Sequence, residues 1–390
     1  MSALPSIQES AFMNSLRAIF AAQVAPAAEQ RKAWELFNQL GLPALRDEHW
    51  KYTQLHRLYS QSFAALQTTQ SLPAADGMVI RQVNTGAFKT DRPFIALNHA
   101  LNAQEWLIEV PDNMEIRQPL WLNMMAGGTS SIIAPRLTIK LGRNSKLTVI
   151  ERYPSNDESM YASIAVTHIT VGENARLEHC RLQDANRASF HICSIDATIG
   201  QHGRYVNHHF NIGGSVGRLD VNVQLQGAEA YAELNGLQFA TGNQVLDTHS
   251  RIEHCVPRAR SSETYHGIAD ERGQVVFNGK VLVHKHAVGT DAQQSSRNLL
   301  LSPKAEIDTK PELEIYADDV KCSHGATVGQ LDSNALFYLR SRGISEQEAR
   351  ALLTLAFADA VINKVSLDSL REDLTQQVHA RFGNKAEPSV

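Results

Sequence analysis

The segments Gly142-Arg-Asn-Ser-Lys-Leu147 and Gly172-Glu-Asn-Ala-Arg-Leu177 repeat one pattern of glycine, polar residues and an apolar residue, 30 residues apart. Gly200 opens a related segment 28 residues later, and Gly227 opens a fourth after a further 27. Extended, partly apolar stretches follow most of these glycines, without a helical pattern between them. This repeat predicts a β-solenoid whose coils stack at about 4.8 Å, the ordinary spacing of hydrogen-bonded strands. A β-sandwich with turns at similar intervals is the alternative.

Strand patterns extend on both sides of the repeat, from about residue 90 to 332. The segment Leu219-Asp-Val221-Asn-Val223-Gln-Leu225 alternates strictly, which places its apolar residues on one face of a strand. We therefore expect a mainly β protein with three parts. These are an N-terminal helical domain over 1–70, a β-helix core over 71–332 and a C-terminal helical domain over 333–390.

Helical signals mark both ends of the chain. Phe12, Leu16 and Ile19 recur at helical spacing, as do the apolar residues before the stop signal Gly41. Ser345 and Glu348 form a capping-box pattern at the start of one C-terminal helix, and a second helix is predicted from about 367 to 382. We expect these two amphipathic helices either to dock on the strands or to offer a surface to another protein.

Composition excludes several classes of protein. Lys and Arg number 37 against 41 Asp and Glu, a net charge of −4 that does not suit a polybasic nucleic-acid binder. No run of about 18 apolar residues is present, so no membrane span is expected. The first twenty residues lack the pattern of a signal peptide, which favours a cytoplasmic protein. The four cysteines never pair as C-x-x-C, so neither a zinc ribbon nor a cysteine-only cluster loop is encoded.

Two segments resemble known motifs but each lacks a feature that the motif requires. Gly273-Gln-Val-Val-Phe-Asn-Gly279-Lys280 has five residues between its glycines where a phosphate loop needs four, so nucleotide binding by that route is not expected. Ser215 lies in a G-x-S-x-G pattern, but an alternating strand follows where a nucleophile elbow needs a helix. We expect a glycine-rich turn there.

Histidines are concentrated in the strand region, and four pairs involve possible metal ligands: His179-Cys180, His208-His209, His254-Cys255 and His284-x-His286. A metal site needs three or four such groups to converge, and the sequence alone shows no convergence. We expect most of these histidines to be stacked or hydrogen-bonded residues of the solenoid.

Cys322 and His324 form a more specific candidate. They are separated by one residue, so in an extended chain they project from the same face, at the end of the strand region. A thiolate and an imidazole there could bind iron or zinc. The alternative is a buried thiol beside a hydrogen-bonded histidine.

The segment from 246 to 344 resembles the SufB/SufD family of iron–sulfur cluster assembly proteins. The resemblance lies in Asp247-Thr-His-Ser-Arg-Ile-Glu-His254, in Ser296-Arg-Asn-Leu-Leu-Leu-Ser302 and in the run from Lys310 to Asp332, which contains Lys-Cys-Ser-His-Gly-Ala-Thr. Trp50-Lys-Tyr-Thr53 extends it nearly to the start of the chain. Within the family, the length, the N-terminal helices and the Lys-Cys-Ser-His-Gly-Ala-Thr block look more like SufD than SufB.

This resemblance implies a right-handed parallel β-helix between helical ends and a non-catalytic scaffold in the SUF system. It implies assembly with SufB and with the ATPase SufC, which would dock on the C-terminal helices. Sulfur supplied through a cysteine desulfurase would meet iron near the SufB–SufD interface. There His324 matches the histidine that is the candidate ligand or assembly residue on this chain, and Cys322 matches the adjacent family cysteine. We expect no stably bound cofactor, only a transient iron–sulfur cluster at the subunit interface.

The physics of a solenoid gives this arrangement an independent motive. The last coil exposes unpaired backbone N–H and C=O groups, which helices or a second β-helix can cover. A heterodimer or, for the isolated chain, a homodimer satisfies that requirement. Two other functions remain open at this point: a β-helical enzyme acting on carbohydrate or ester substrates, and a stand-alone structural or metal-storage solenoid.

Overall fold

The computed structural model of the chain describes residues 7–44, 46–53, 55–67, 72, 74–125, 128, 130–155 and 159–383. Its core is a parallel β-solenoid of about eight turns, formed by two facing sheets, with helices at both ends of the chain. From Arg136 to Gly329, each strand pairs in parallel with the strand two positions along the chain, so every coil in this range contributes one strand to each sheet. The mainly β, β-helical fold predicted from the repeat is confirmed, and the sandwich alternative is wrong.

Sheet A contains β1 (Ala65–Gln67), β2 (Val79–Asn84), β3 (Gln104–Val110), β5 (Ser131–Ile133), β6 (Arg136–Leu141), β8 (Tyr161–Val171), β10 (Phe190–Ile199), β12 (Val216–Leu225), β14 (Val245–His254), β16 (Gln274–Val283) and β18 (Glu306–Ile315). Sheet B contains β4 (Leu120–Asn123), β7 (Lys146–Pro154), β9 (Arg176–Asp184), β11 (Arg204–Asn211), β13 (Tyr231–Ala240), β15 (Arg260–Ala269), β17 (Asp291–Leu300) and β19 (Lys321–Gly329). The helices are α1 (Ala11–Ala21), α2 (Ala28–Leu40), α3 (His56–Tyr59), α4 (Pro93–Leu101), α5 (Ser333–Ser341), α6 (Glu346–Ile362) and α7 (Asp368–Gly383).

The glycine repeat lies at the tight turns between sheet A and sheet B. A Cβ added at Gly172 would lie 2.7 Å from the carbonyl oxygen of Leu141 in the preceding coil, so the stacked turns leave no room for a side chain. Two residues after the first two glycines, Asn144 and Asn174 adopt positive φ angles of 55° and 53°. Asparagine tolerates this left-handed conformation better than most residues, which explains the polar part of the repeat.

The N-terminal helices pack on sheet A. Phe12, Leu16 and Phe37 from α1 and α2 are buried in one cluster with residues of α4 and of β8, β10 and β12. Helix α4 lies within the region that the sequence predicted to be strands. All of its residues from Phe94 to Leu101 are buried, so it carries no amphipathic pattern.

The C-terminal helices pack on the outer face of sheet B. Val361 of α6 and Leu374 of α7 lie in one buried cluster with Phe210, Leu237 and Ile268 of the sheet. Ser345 accepts a hydrogen bond from the Glu348 amide and begins α6, as predicted. These two helices therefore cover the outer face of sheet B.

Candidate functional site

The last coil of the solenoid consists of β18 and β19, which are the terminal strands of sheets A and B. Strand β19 pairs with β17 on one side, and among the residues the structure describes no strand pairs with its other edge. Cys322 and His324 both lie in β19. The predicted position of these two residues on a terminal coil is confirmed, while their role as ligands stays a prediction.

Register defines the surroundings of both side chains. Cys322 is opposite Ala292 and His324 is opposite Gln294 in β17, and both partners are buried. Because paired residues of parallel strands point to the same face, Cys322 and His324 lie over the interior of the solenoid at its uncovered end. Cys322 packs against the buried cluster that contains Val283 and Ala292, while His324 is exposed.

The thiol and the imidazole differ in their electrostatic surroundings. Partial burial, with a smaller contribution from the charge of Asp291, raises the pKa of Cys322. The thiol is therefore protonated at neutral pH unless a cation displaces the proton. Beneath His324, Gln294 donates a hydrogen bond of 2.6 Å to the buried carboxyl of Glu263. Burial raises the pKa of Glu263 to about 7.

The histidines of the first two candidate pairs are buried in the solenoid, and among the described residues neither ring nitrogen of His209 has a hydrogen-bond partner. His179 lies 3.3 Å from the Glu151 carboxylate within the solenoid, whereas its neighbour Cys180 faces the C-terminal helices. His208 lies 3.5 Å from Glu178, and burial lowers the pKa of His209 well below its ordinary value. These pairs do not converge on a common point.

His254 and Cys255 also point to different environments. His254 is buried and hydrogen-bonded to Ser261 at 2.8 Å. Cys255, however, meets His284 and Glu253 in a group of three side chains that sequence analysis did not bring together. Cys255 and His284 are 29 residues apart, close to the solenoid period. This spacing is the signal in the sequence that the two residues lie next to each other on neighbouring coils. The exposed His286 does not belong to this group.

A groove of about 1010 Å³ lies between the outer face of sheet A and the segments around Trp50 and Phe94. Three of its carboxylates are paired with cations: Asp196 with Arg92, Asp220 with Arg218 at 2.7 Å, and Glu314 with Lys280 at 2.6 Å. A carboxylate that is held in an ion pair is not available as the free general acid that a glycoside-cleaving enzyme needs.

The two rejected motifs also have structural explanations. Ser215 lies in a turn that leads directly into β12, so no strand–turn–helix elbow is formed. Gly279 and Lys280 lie within β16, where the backbone is paired on both sides and cannot wrap a phosphate.

Helices of the described segments include none that is both long and apolar enough to cross a membrane.

Comparison with known proteins places these features in a family. Residues 123–357 match the family model described as the SufBD core domain of SUF system FeS cluster assembly. An iron–sulfur cluster assembly SufBD family protein of Synechocystis sp. is 33% identical over 409 residues, covering 90% of each chain. The iron–sulfur cluster assembly protein SufD of Escherichia coli is 31% identical over 383 residues, covering 88% of this chain and 89% of its own.

A third relative is the chloroplastic protein ABCI7 of Arabidopsis thaliana, 32% identical over 302 residues, which cover 75% of this chain and 64% of that protein. The matched core spans the solenoid from β4 to α6, including Cys322 and His324. The chain therefore belongs to the SufBD family of iron–sulfur cluster assembly proteins.

Proposed function

We propose that this chain is a non-catalytic scaffold subunit, whose last coil pairs with a SufB-type β-solenoid so that a cluster forms at the junction. The position of Cys322 and His324 on the open edge strand β19 carries the proposal. Relatives named as cluster assembly proteins support the process in which it takes part. A cytoplasmic location belongs to the same proposal.

The open end has the surface of an interface. Exposed apolar side chains lie at the end of β18 and in β19, where Ile315 is 41% exposed, Tyr316 64% and Val328 47%. Natural edge strands are usually protected by charged residues or proline. In β19 the charged residue is Lys321, at the start of the strand. A paired strand from a second solenoid would satisfy the edge and cover these side chains.

The ligands on this coil fit an assembly site that is shared between two chains. Cys322 supplies a soft sulfur ligand and His324 an imidazole, both suited to iron. Two protein ligands cannot complete the coordination of a cluster, so the remaining ligands would come from the partner. Iron, and sulfur delivered through a cysteine desulfurase, are substrates in this scheme.

The C-terminal helices offer the docking surface for an ATPase of the SufC type. Their buried faces are occupied by sheet B, whereas Phe337 and Tyr338 of α5 are 74% and 57% exposed. Aromatic side chains at this exposure are typical anchors of a protein interface. ATP hydrolysis would belong to that partner.

Co-expression tests the proposal. The tagged full-length chain is produced with the SufB-type and SufC-type proteins of the same organism, and the purified material is analysed by native mass spectrometry. We expect one complex that contains all three chains and forms a cluster when iron and sulfide are supplied. Purification of the tagged chain alone, with both partners present in the lysate, would contradict the scaffold role.

A further inference from the structure

Three side chains of different chemistry meet at the edge where sheet A turns into sheet B, on the two coils that precede the last one. They are Glu253, Cys255 and His284, and their ligand atoms all lie within 4.8 Å of one another. His284 Nε2 lies 3.2 Å from Glu253 Oε2. Carboxylate, thiolate and imidazole together form a donor set found in transition-metal sites of proteins.

The stacking of coils fixes this arrangement. The strands β14 and β16 are paired in register up to His254 and Val283, and the His284 amide donates a hydrogen bond of 3.0 Å to the His254 carbonyl. Cys255 and His284 therefore occupy equivalent positions on neighbouring coils. Glu253 precedes Cys255 by two residues, so alternation along the chain places both side chains on the same face.

The neighbours of the group leave one side of it available. Arg251 Nε binds Glu253 Oε1 at 2.7 Å, which orients the carboxylate and leaves Oε2 directed at His284. The side chain of Glu253 is 18% exposed and that of His284 is 46% exposed, so an ion can enter from solvent. Burial and the Glu253 charge raise the pKa of Cys255, and a bound cation would displace the thiol proton.

We propose that Glu253, Cys255 and His284 form a binding site for a divalent transition-metal ion of the Zn²⁺ or Fe²⁺ type, with water as the fourth ligand. Bonds of about 2.0–2.3 Å in a tetrahedron separate ligand atoms by about 3.5 Å. Ligand atoms that are as much as 4.8 Å apart would have to close by about 1 Å. His284 Nε2 and Glu253 Oε2, 3.2 Å apart, already have the required spacing. A sulfur ligand selects against Mg²⁺ and Ca²⁺, which prefer oxygen.

The site is distinct from the cluster junction of the proposed function. Cys255 and His284 lie on the turns that follow β14 and β16, whereas Cys322 follows the corresponding turn after β18, on the last coil. Metal binding by these three residues can therefore be tested separately from pairing with a second solenoid.

Titration of the isolated full-length chain with Co²⁺ tests the site, because a thiolate–cobalt bond gives a charge-transfer absorption band. We expect the band to saturate at one Co²⁺ per chain and to be displaced by Zn²⁺ but not by Mg²⁺. Anaerobic dialysis against Fe²⁺ then shows which of the two ions the site prefers. In Cys255→Ser the band should disappear, and in His284→Gln Co²⁺ affinity should fall at least tenfold.

Two control variants keep the assignment falsifiable. His286→Gln changes an exposed histidine two residues away, and Cys322→Ser changes the thiol of the last coil; both should retain the band at full intensity. Absence of a band in the wild-type chain would show that the group is only an ion pair beside a thiol. A band that survives Cys255→Ser and disappears in Cys322→Ser would move metal binding to the last coil and overturn the proposal.

Discussion

Arg218 Nη1 lies 2.7 Å from Asp247 Oδ2, and both side chains are buried. The same guanidinium lies 4.1 Å from the centre of the Trp50 ring and donates hydrogen bonds to the His49 carbonyl at 2.8 Å and to Thr53 at 3.0 Å. Asp247 also accepts a hydrogen bond from Thr53. One buried ion pair thus attaches the Trp50–Thr53 segment to two neighbouring coils.

Removal of the Asp247 charge should destabilise the protein. In Asp247→Asn the buried Arg218 guanidinium loses one of its two carboxylates, and we expect the free energy of unfolding to fall by about 3 kcal/mol. Asp220→Asn is the matched control, because the Asp220 side chain is 18% exposed, so water can replace part of the lost contact and the loss should be smaller than in Asp247→Asn. Guanidinium unfolding followed by tryptophan fluorescence measures both values. Equal losses would show that Asp247 has no special role.

The same pair predicts a dependence of stability on pH. Burial alone would raise the pKa of Asp247, but the charges of Arg218 and His249 lower it to about 2. The unfolded chain has an aspartate pKa of about 3.9, so this stabilisation is complete above that pH and is lost as the pH falls towards 2. The difference in unfolding free energy between wild type and Asp247→Asn should shrink over this interval. A constant difference would contradict the assignment.

Glu263 should behave in the opposite sense. Its folded pKa of about 7 lies above the unfolded value of about 4.3, so the folded state binds the additional proton. This contribution to stability is present below about pH 4 and declines as the pH rises through 7. We expect Glu263→Gln to be more stable than wild type at pH 8, with the advantage decreasing towards pH 5. Thermal unfolding at several pH values tests this, and an advantage that grows on acidification would refute it.

On the last coil, His324→Ala should abolish cluster formation in the reconstituted complex while assembly is retained. The imidazole is exposed in this chain, so its removal leaves no cavity. Ser323→Ala, on the opposite face of the same strand, is the control and should keep wild-type activity. Absorption spectra of reconstituted clusters, together with gel filtration, provide the readout. Full cluster yield in His324→Ala would remove this residue from the site.

A charge on the open edge should weaken pairing. Val328→Lys places an ammonium group where a partner strand is proposed to dock, and we expect affinity for the SufB-type chain to fall at least tenfold. Val79→Lys is the matched control, since Val79 is 45% exposed and lies in β2, at the other end of sheet A. Calorimetric titration measures both affinities. Equal losses of affinity in Val328→Lys and Val79→Lys would show that the interface does not include β19.

The ATPase surface is tested with Phe337→Ala and Tyr338→Ala. Both side chains are exposed, so the fold should be unaffected, whereas binding of the SufC-type protein should weaken by tenfold or more. Tyr52→Ala is the control because Tyr52 is a partly exposed aromatic residue in the N-terminal region, 37% accessible. Deleting 333–390 would be a poorer test, since it would uncover Phe210, Leu237 and Ile268 of sheet B. If Phe337→Ala and Tyr338→Ala leave the pull-down signal as unchanged as the control does, α5 is not the docking surface for the ATPase.

The solenoid and its ends could be predicted because each depends on local sequence. A coil needs a tight turn at a fixed interval. Because turns such as the one at Gly172 have no room for a side chain, this interval is visible in the sequence as a repeat of glycines. Helix α4 could not be predicted, because a helix buried on every side has no polar face. The sequence allows two positions for α6 and α7, docked on the strands or exposed to a partner, since their apolar faces do not identify the surface that covers them.

The two candidate sites also differ in whether the sequence alone predicts them. Cys322 and His324 are neighbours along one strand, so alternation alone places them on one face. Cys255 and His284 meet only because two coils stack in register, and a shift of one residue would separate them. The repeat in the sequence is too weak to predict which residues of these two coils are paired.

The open last coil has a consequence for how the protein must be produced. Within the described residues the outer edge of β19 is unpaired. Under the proposed scheme, a copy that finds no SufB-type partner can pair with a second copy of the same chain. We expect the balance of synthesis between the two solenoid chains to determine whether the surplus stays dispersed or accumulates as self-paired material.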